Sequence, residues 1–429
     1  MLRKESWLKF KNIGTNVFAV LLFFTCCGKV AAANITTNAA TTPQSAPTSM
    51  VASSFGQIST SSPTQIHAAF SSVQTLIPAA PDLNVKAYIL VDAKSGNIIA
   101  AKNPDDHLPP ASMTKILSIY LVADALKNGK IKFTDQVPIS EKAWRTGGSR
   151  MFAKVGSTIP VQQLIDGIII ASGNDATVAM SEFLAGTEES FADLMNQTAA
   201  VLGMKDSHFV DSNGLPAVNH YSSARDMATL ARAWIYNFPE YYPWFKTKWI
   251  MFNNIKQPNR NRLLWRDPSV DGIKTGHTNE AGYCLTASAE RNGTRLIAVV
   301  MGAPSEKDRA NYSEALLNYG FRFFESHKIY AANTPILNAK VWYGKEKVLP
   351  LGLTEDFYVT TPIGQHKNFK INASLNGKVT APITKNQVFG VITVSKDNKI
   401  IATKPLVALK EIPTGGFWSR IWDKIREAI

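Results

Sequence analysis

Hydrophobic and polar positions divide the chain into segments of different character. Val85-Lys-Ala-Tyr-Ile-Leu-Val-Asp92 predicts a strand, Lys94-Ser-Gly-Asn97 a turn, and Ile98 to Lys102 the hairpin partner. A second strand pair is predicted over Gly282 to Glu290 and Arg295 to Gly302, because Arg291-Asn-Gly293 between them carries the Asn-Gly hairpin signal. Ile116 to Leu126 predicts a helix that Gly129 stops, and Leu164 to Ala171 is a further apolar run. From 329 to 412, short apolar runs recur with turn residues between them: Ala339 to Trp342, Phe357 to Thr360, Phe369 to Ala373, Val388 to Val394 and Ile400 to Leu409. That spacing predicts a small all-β sandwich.

The two ends differ from everything between. Arg3, Lys4, Lys9 and Lys11 precede the apolar run Val17 to Phe24, and Ala31-Ala-Ala33 follows it. This is the pattern of a signal peptide cleaved after Ala33, and the apolar run is short for a membrane span. Residues 34–81 contain no Asp, Glu, Lys or Arg, and Ser and Thr make up 17 of the 47 residues from Asn34 to Ala80. Such a segment has little to bury and predicts a flexible tether. At the other end, Trp418, Ile421, Trp422, Ile425 and Ile429 share an arc of about 100° on a helix. Ser419, Arg420, Asp423, Lys424, Arg426 and Glu427 cover the rest. Two tryptophans beside basic residues suit a lipid–water interface. Docking on the chain's own domain is the alternative, and Gly415-Gly416 reads as a hinge that favours the membrane surface.

Composition narrows the class. The 429 residues are 45% hydrophobic and 18% charged, which excludes a wholly disordered chain. After position 33 there is no run of about 20 uncharged apolar residues, which excludes a multi-span membrane protein. The net charge is +13, of which the leader carries +4. A basic chain suits an anionic partner; the dispersed Lys and Arg argue against nucleic acid. Cys26 and Cys27 lie in the leader, so Cys284 alone remains, and neither a disulfide nor a cysteine zinc site is expected. Cys284 reads as a strand residue. The seven histidines, His67, His107, His208, His220, His277, His327 and His366, are scattered. Neither His-Glu-x-x-His nor Gly-x-Gly-x-x-Gly occurs, so no metal or cofactor is expected. Tyr241-Tyr-Pro-Trp-Phe245 reads as a packed surface loop.

Chemistry concentrates in three short motifs. Ser112-Met-Thr-Lys115 opens the helix that runs to Leu126, and the i, i+3 spacing puts both side chains on one face. A serine hydroxyl needs an adjacent base, and a lysine serves when burial and nearby cations lower its pKa. The helix N-terminus offers backbone N–H groups to an oxyanion. Ser172-Gly-Asn174 follows the run ending at Ala171, and Lys274-Thr-Gly276 follows Val270-Asp-Gly-Ile273. In that order the mechanics fit acyl transfer. Ser172 relays a proton and Asn174 holds a substrate amide. Lys274 adds positive field and the Thr275 hydroxyl binds a substrate carboxylate. Gly276 leaves the strand open for a peptide backbone.

These motifs resemble the signature of the penicillin-binding proteins and serine β-lactamases. Lys86-Ala-Tyr-Ile-Leu, Pro110-Ala-Ser-Met-Thr-Lys115, Ala171-Ser-Gly-Asn-Asp-Ala176, Asn259-Arg-Asn261, Asp271-Gly-Ile-Lys-Thr-Gly-His277 and Gly320-Phe-Arg-Phe-Phe324 are similar to the low-molecular-mass D-alanyl-D-alanine carboxypeptidases of Gram-negative bacteria, the penicillin-binding protein 5/6 type. The likeness covers about Pro81 to Ile429; the long uncharged tether departs from it. It implies Ser112 as acylated nucleophile, Lys115 as its base, and an oxyanion hole from the backbone N–H groups of Ser112 and His277. It also implies Arg260 and Arg309 as supports for Lys274 and the substrate carboxylate.

The resulting expectation is an α+β chain. A leader (1–33) and tether (34–80) precede a β-lactamase/transpeptidase-like catalytic domain of helices on an antiparallel sheet (81–328). An all-β domain (329–412) and an amphipathic membrane-anchor helix (413–429) follow. The expected activity is removal of the terminal D-Ala from peptidoglycan stem pentapeptides through an acyl-enzyme. β-Lactams would be its inhibitors, and its place the periplasmic face of the inner membrane. The alternatives are a DD-endopeptidase, a β-lactamase, and a catalytically inactive cell-wall scaffold. A β-lactamase commonly needs a glutamate-activated water, and Asp206 to Leu215 holds no Glu.

Overall fold

The structure is a computed structural model that describes residues 77–366 and 369–428. The expected leader, most of the tether, Cys26, Cys27 and Ile429 lie outside the described residues.

Five antiparallel strands form the central sheet, in the order Ile98–Lys102, Ala87–Asp92, Thr294–Ala303, Gly282–Arg291, Val270–Thr278. Both hairpins predicted from turn chemistry are present. Asn292 and Gly293 have φ of 49° and 75°, the left-handed pair that a two-residue Asn-Gly loop requires. Successive side chains alternate between the faces. Ala87, Ile89 and Val91 pack with Ile297, Val299 and Met301 beneath the helical layer. Tyr88 and Leu90 pack with Leu296, Ala298 and Val300 on the other side. Both faces are covered, which explains why these strands read as unbroken apolar runs.

The outer face is covered by the helix Glu306–Phe323 through Leu316 and Leu317. Ser305 caps it, its Oγ accepting the Asp308 N–H at 3.0 Å. Glu306 and Asp308 in its first turn and Arg322 in its last complement its dipole. On the inner face lie Lys115–Lys127, Asn174–Ala185, Glu188–Leu202 and Ala224–Asn237. Lys115–Lys127 is buried along nearly its whole length, the place for a helix apolar on every side. Trp234 clamps it, donating from Nε1 to the Ile116 carbonyl at 2.9 Å. The segment expected as a surface loop at Tyr241–Phe245 instead forms a short 3₁₀ turn, Tyr242–Lys246. Tyr242 and Phe245 are buried in the main core, where Phe245 meets Trp234 edge-on. Aromatic bulk outweighed the turn-like sequence around Pro243.

The C-terminal region is all-β. A six-stranded sheet has the order Lys370–Leu375, Val388–Lys396, Lys399–Ala408, Val348–Gly352, Leu337–Trp342, Val379–Thr380. A two-stranded ribbon, Phe324–Tyr330 with Phe357–Pro362, packs on it through Ile329, Phe357, Val359, Ile392 and Val394. Sequence reading missed Phe324–Tyr330, Val348–Gly352 and Val379–Thr380. The first follows directly on a helix, the second contains Pro350, and the third has only two residues. The division expected at 328/329 falls inside the first of them.

The final helix, Phe417–Ala428, docks by its polar side. Asp423 is buried and accepts the Tyr343 N–H and Lys347 Nζ, both at 2.7 Å; Lys347 also donates to Ser419 Oγ at 2.8 Å. The Gly415 N–H is held by the Tyr343 carbonyl at 2.7 Å, so the first glycine of the expected hinge is pinned to the β domain. Phe417, Trp418, Trp422 and Ile425 point outward and are exposed. Among the described residues no helix is long and apolar enough to cross a membrane.

Candidate active site

Three elements bring the motif residues together. Ser112 sits in a 3₁₀ turn, Ala111–Thr114, with Lys115 opening the α-helix behind it. The turn is tighter than the single α-helix that the spacing predicts. Ala111 has φ of 49°, a left-handed conformation that strains a residue with a Cβ. Gly167–Ala171 forms one π-helical turn and ends at Ser172, whose φ is 57°; Asn174 then starts the next helix. π turns and left-handed non-glycine residues gather at functional sites. The strand Val270–Thr278 carries Lys274, Thr275 and Gly276 past the 3₁₀ turn.

Lys115 is the hub. Its Nζ lies 2.9 Å from Ser112 Oγ, 2.7 Å from Asn174 Oδ1 and 2.7 Å from the Asn213 carbonyl. The last two acceptors are neutral and cannot donate back as the amine loses a proton. They hold two N–H bonds, so in the neutral amine the lone pair faces Ser112 Oγ. Burial pushes the pKa of Lys115 down to about 7. Asp211 opposes that shift, Arg260 adds to it, and Asp175 and Glu188 pull back more weakly. Lys274 is also buried, and burial followed by the charges of Lys115, Arg260 and Arg309 holds its pKa well below the ordinary lysine range.

Ser172 Oγ is buried without a hydrogen-bond partner. An unmet buried hydroxyl costs about 1–3 kcal/mol. Asn174 is fixed at both ends, its Nδ2 donating to the Gly147 carbonyl at 2.6 Å. Asp175, unflagged by the sequence, accepts the N–H groups of Met151 and Ala153, each at 3.0 Å, and so holds the 149–153 loop beside the site.

Gly276 also serves the packing of the chain itself. A Cβ there would lie 2.6 Å from the Pro110 carbonyl oxygen, so glycine lets the strand press on the chain's own nucleophile turn. Arg309 is buried and donates to the Gly276 carbonyl at 3.2 Å, with Glu306 at 3.5 Å. It therefore positions the strand. Arg260 is exposed. The flanking Asn259 and Asn261 are buried and stitch the loop to the Thr247 and Gly272 carbonyls at 3.0 and 2.9 Å. A groove of about 400 Å³ lined by Trp249, Trp265, Arg260 and Arg262 opens beside it. His277 lies at the strand's exposed end, its ring 4.0 Å from that of Tyr283. Cys284 is fully buried, and burial pushes its thiol up to about 11, which leaves it inert.

Sequence reasoning missed one whole side of the site. Asp211 Oδ1 accepts the N–H groups of Asn213 and Gly214 at 2.9 and 2.6 Å, bending the loop so that the Asn213 carbonyl meets Lys115. Gly214 has φ of 81°, and a Cβ there would lie 2.0 Å from the Ala111 carbonyl oxygen. Glu188 Oε1 accepts Ser212 N, Ser212 Oγ and Asn213 Nδ2, while Oε2 pairs with Lys142 at 3.2 Å. The Asp-x-Asn-Gly turn pattern at Asp211 was the signal available for this loop.

A serine held against a lysine, in a cleft between a helical layer and an antiparallel sheet, defines an acyl-transfer enzyme of the serine–lysine class. The comparisons make this specific. The family model for D-alanyl-D-alanine carboxypeptidase matches residues 74–305, and that for the C-terminal domain of penicillin-binding protein 5 matches 324–414. The chain is 44% identical over 368 residues to the D-alanyl-D-alanine carboxypeptidase DacA of Escherichia coli, covering 84% of this chain and 91% of that relative. Penicillin-binding protein 5 from Haemophilus influenzae superposes with a TM-score of 0.74 at 41% identity, covering 78% of this chain and 99% of that one. A more distant structure is penicillin-binding protein D2 from Listeria monocytogenes in its ampicillin-bound form, at TM-score 0.52 and 28% identity, over 56% of this chain and 100% of that one. The chain belongs to the D-alanyl-D-alanine carboxypeptidase family.

Proposed function

We propose that this chain is a periplasmic serine carboxypeptidase that removes the terminal D-Ala from D-Ala-D-Ala stem peptides of peptidoglycan. The observation that carries the reading is the 2.9 Å contact of Lys115 Nζ with Ser112 Oγ, in a pocket that lowers the lysine to about pKa 7. Ser112 Oγ attacks the carbonyl of the penultimate D-Ala and neutral Lys115 takes its proton. The oxyanion is met by the backbone N–H groups of Ser112 and His277. The C–N bond breaks as the Ser172 hydroxyl gives its proton to the leaving amine of D-Ala and regains one from protonated Lys115, which returns Lys115 to its neutral form. Water then hydrolyses the Ser112 ester. Arg260 and Arg309 carry positive charge near Lys274, while Asp211, Asp175 and Glu188 are committed to backbone, side-chain and lysine partners. That surplus matches a substrate carboxylate, which the Thr275 hydroxyl reads with Arg260 while Arg309 holds the strand beneath. β-Lactams enter the same chemistry, but the amine they expel stays tethered to the acyl group and keeps the leaving-group side that water needs, so the ester persists. Glu188, with both oxygens engaged, offers no separate base for a lactamase step.

A leader over 1–33, a tether over 34–80 and the outward face of the last helix support a location of the catalytic domain on the periplasmic side of the inner membrane. Trp418, Trp422 and Ile425 supply the apolar contact with lipid. The decisive assay compares purified protein on a D-Ala-D-Ala pentapeptide, a cross-linked muropeptide dimer and a penicillin. Rapid D-Ala release with one stable penicilloyl adduct per chain is expected. Many penicillin turnovers with little D-Ala release would make it a β-lactamase, preferential cleavage of the dimer an endopeptidase, and inertness toward all three a scaffold.

A further inference from the structure

Two of the histidines that are scattered along the sequence meet in the fold. Glu325 and His327 alternate onto one face of the strand Phe324–Tyr330, two residues apart. His366 arrives from the turn that follows the paired strand Phe357–Pro362. The Oε1 atom of Glu325 accepts the Gly364 N–H at 2.8 Å and faces His366 Nδ1 at 3.0 Å and His327 Nε2 at 3.1 Å. The two imidazole rings lie 4.1 Å apart, and all three donor atoms fall within 4.8 Å of one another.

As a purely internal network this cluster is over-subscribed. Three nitrogens crowd one carboxylate oxygen. Despite its 3.1 Å distance, His327 Nε2 is buried and has no aligned hydrogen bond. A ring nitrogen shut away from water and unmatched is costly, and such atoms call for a missing partner. The arrangement is that of a metal tripod. With metal–ligand bonds of about 2.0–2.1 Å, neighbouring donors at a tetrahedral zinc stand about 3.3 Å apart. The two nitrogen–oxygen edges already lie within a few tenths of an ångström of that. Two imidazoles and one carboxylate form a donor set suited to zinc and poorly suited to calcium or magnesium. Nearby cations have contacts of their own: Arg291 with Asp267, Lys328 with Asp356, Lys396 with Gln365, and Arg322, which lines the adjoining cavity, over the Phe323 ring. A cavity lined by Ser326, Asn292, Thr294 and Ile363 adjoins the cluster and leaves room for a water as fourth ligand.

We propose that Glu325, His327 and His366 bind one zinc ion. The ion ties the strand Phe324–Tyr330 to the turn after Phe357–Pro362. That ribbon is where the catalytic domain hands over to the β domain, since Ser326 Oγ donates to Asp92 Oδ1 at 3.3 Å and Thr360 pairs with Ser95 at 2.6 Å. The bound ion is therefore a structural clamp at the joint. It lies apart from Ser112 and takes no part in acylation.

The test uses untagged, chelator-stripped protein titrated with Zn²⁺ by calorimetry, with Co²⁺ as a spectroscopic substitute. One equivalent should bind, raise the Tm, and give visible cobalt absorption of low-coordinate type. His327→Ala, His366→Ala and Glu325→Gln should each weaken binding by at least about tenfold and abolish the Tm rise. Stoichiometric acylation of each variant by a fluorescent penicillin shows that it is folded. Absence of binding by the wild type, or equal binding by folded variants, overturns the proposal.

Discussion

The catalytic region and the C-terminal β region bury their polar groups very differently. Among the described residues, the β domain and final helix bury only Thr360, Thr361 and Asp423. The catalytic region buries Lys115, Ser172, Asn174, Asp175, Glu188, Asn213, Lys274 and Arg309, with many more. Each buried charge costs several kcal/mol unless it is paired, so a fold with no chemistry to perform sheds such groups. Among the described residues the β region keeps one buried charge, Asp423, at the docked helix, and its interior is Val341, Leu349, Leu351, Leu406 and Ile412. The catalytic region keeps Lys115, Lys274 and Arg309 buried near one another and leaves the Ser172 hydroxyl unmatched; among the described residues of the β region the unmatched buried side-chain atoms are Thr361 Oγ1 and His327 Nε2. Polar burial marks where the fold is held away from its most stable solution for the sake of reactivity.

The comparison breaks most completely at the nucleophile. Ser112→Ala should abolish covalent labelling by a fluorescent penicillin while the melting transition persists; full labelling of that variant places the nucleophile elsewhere. Lys115→Ala should cost about 10²–10⁴ in acylation rate, the usual worth of a general base. It also removes the central ligand of Asn174 and Asn213. In wild type the acylation rate should rise with pH through about 7, because below that value Lys115 is protonated and has no lone pair for Ser112. A rate flat across neutral pH would remove Lys115 from the base role.

Smaller changes sharpen the same contrast. Thr275→Val keeps the shape and removes one donor. The loss of a charge-assisted hydrogen bond, about 1.5–3 kcal/mol, slows D-Ala release and penicillin acylation by roughly 10- to 150-fold. Arg260→Gln removes a charge that depresses Lys115, so the midpoint of the pH profile should move to higher pH. An unmoved midpoint would show that burial alone sets the lysine.

What the sequence made legible follows from the same physics. Ser112, Lys115, Asn174 and Lys274 were readable because side-chain chemistry recurs as residue types at fixed spacing. The Asn213 carbonyl was not, since any residue presents a carbonyl and only the loop bent by Asp211 aims this one. Gly276 was flagged for close backbone approach, and within the chain that approach is made by Pro110, which no spacing announces. Strands buried on both faces announced themselves as apolar runs, whereas Val379–Thr380 was too short to show any period. His327 and His366 are 39 positions apart, and only the pairing of Phe324–Tyr330 with Phe357–Pro362, whose following turn carries His366, brings them together.

The least effect on catalysis is expected at the far end of the molecule, and it separates the two regions most cleanly. Removing Gly416 to Ile429 should release the protein from anionic vesicles, since Phe417, Trp418, Trp422 and Ile425 are its outward apolar stripe. Turnover of a soluble pentapeptide should stay within about twofold, because the helix touches the β domain through Ser419 and Asp423 and has no partner near Ser112. Asp423→Ala refines the point. It removes the carboxylate that accepts from the Tyr343 N–H and Lys347 while leaving the apolar face intact, so vesicle binding should persist while the helix undocks. Protease cleavage between the β domain and the helix should then speed up. If the truncated chain still sediments with vesicles, the anchor lies in the N-terminal segment. If it loses activity on the soluble peptide, the helix supports the catalytic domain, and the division of labour between the two regions fails.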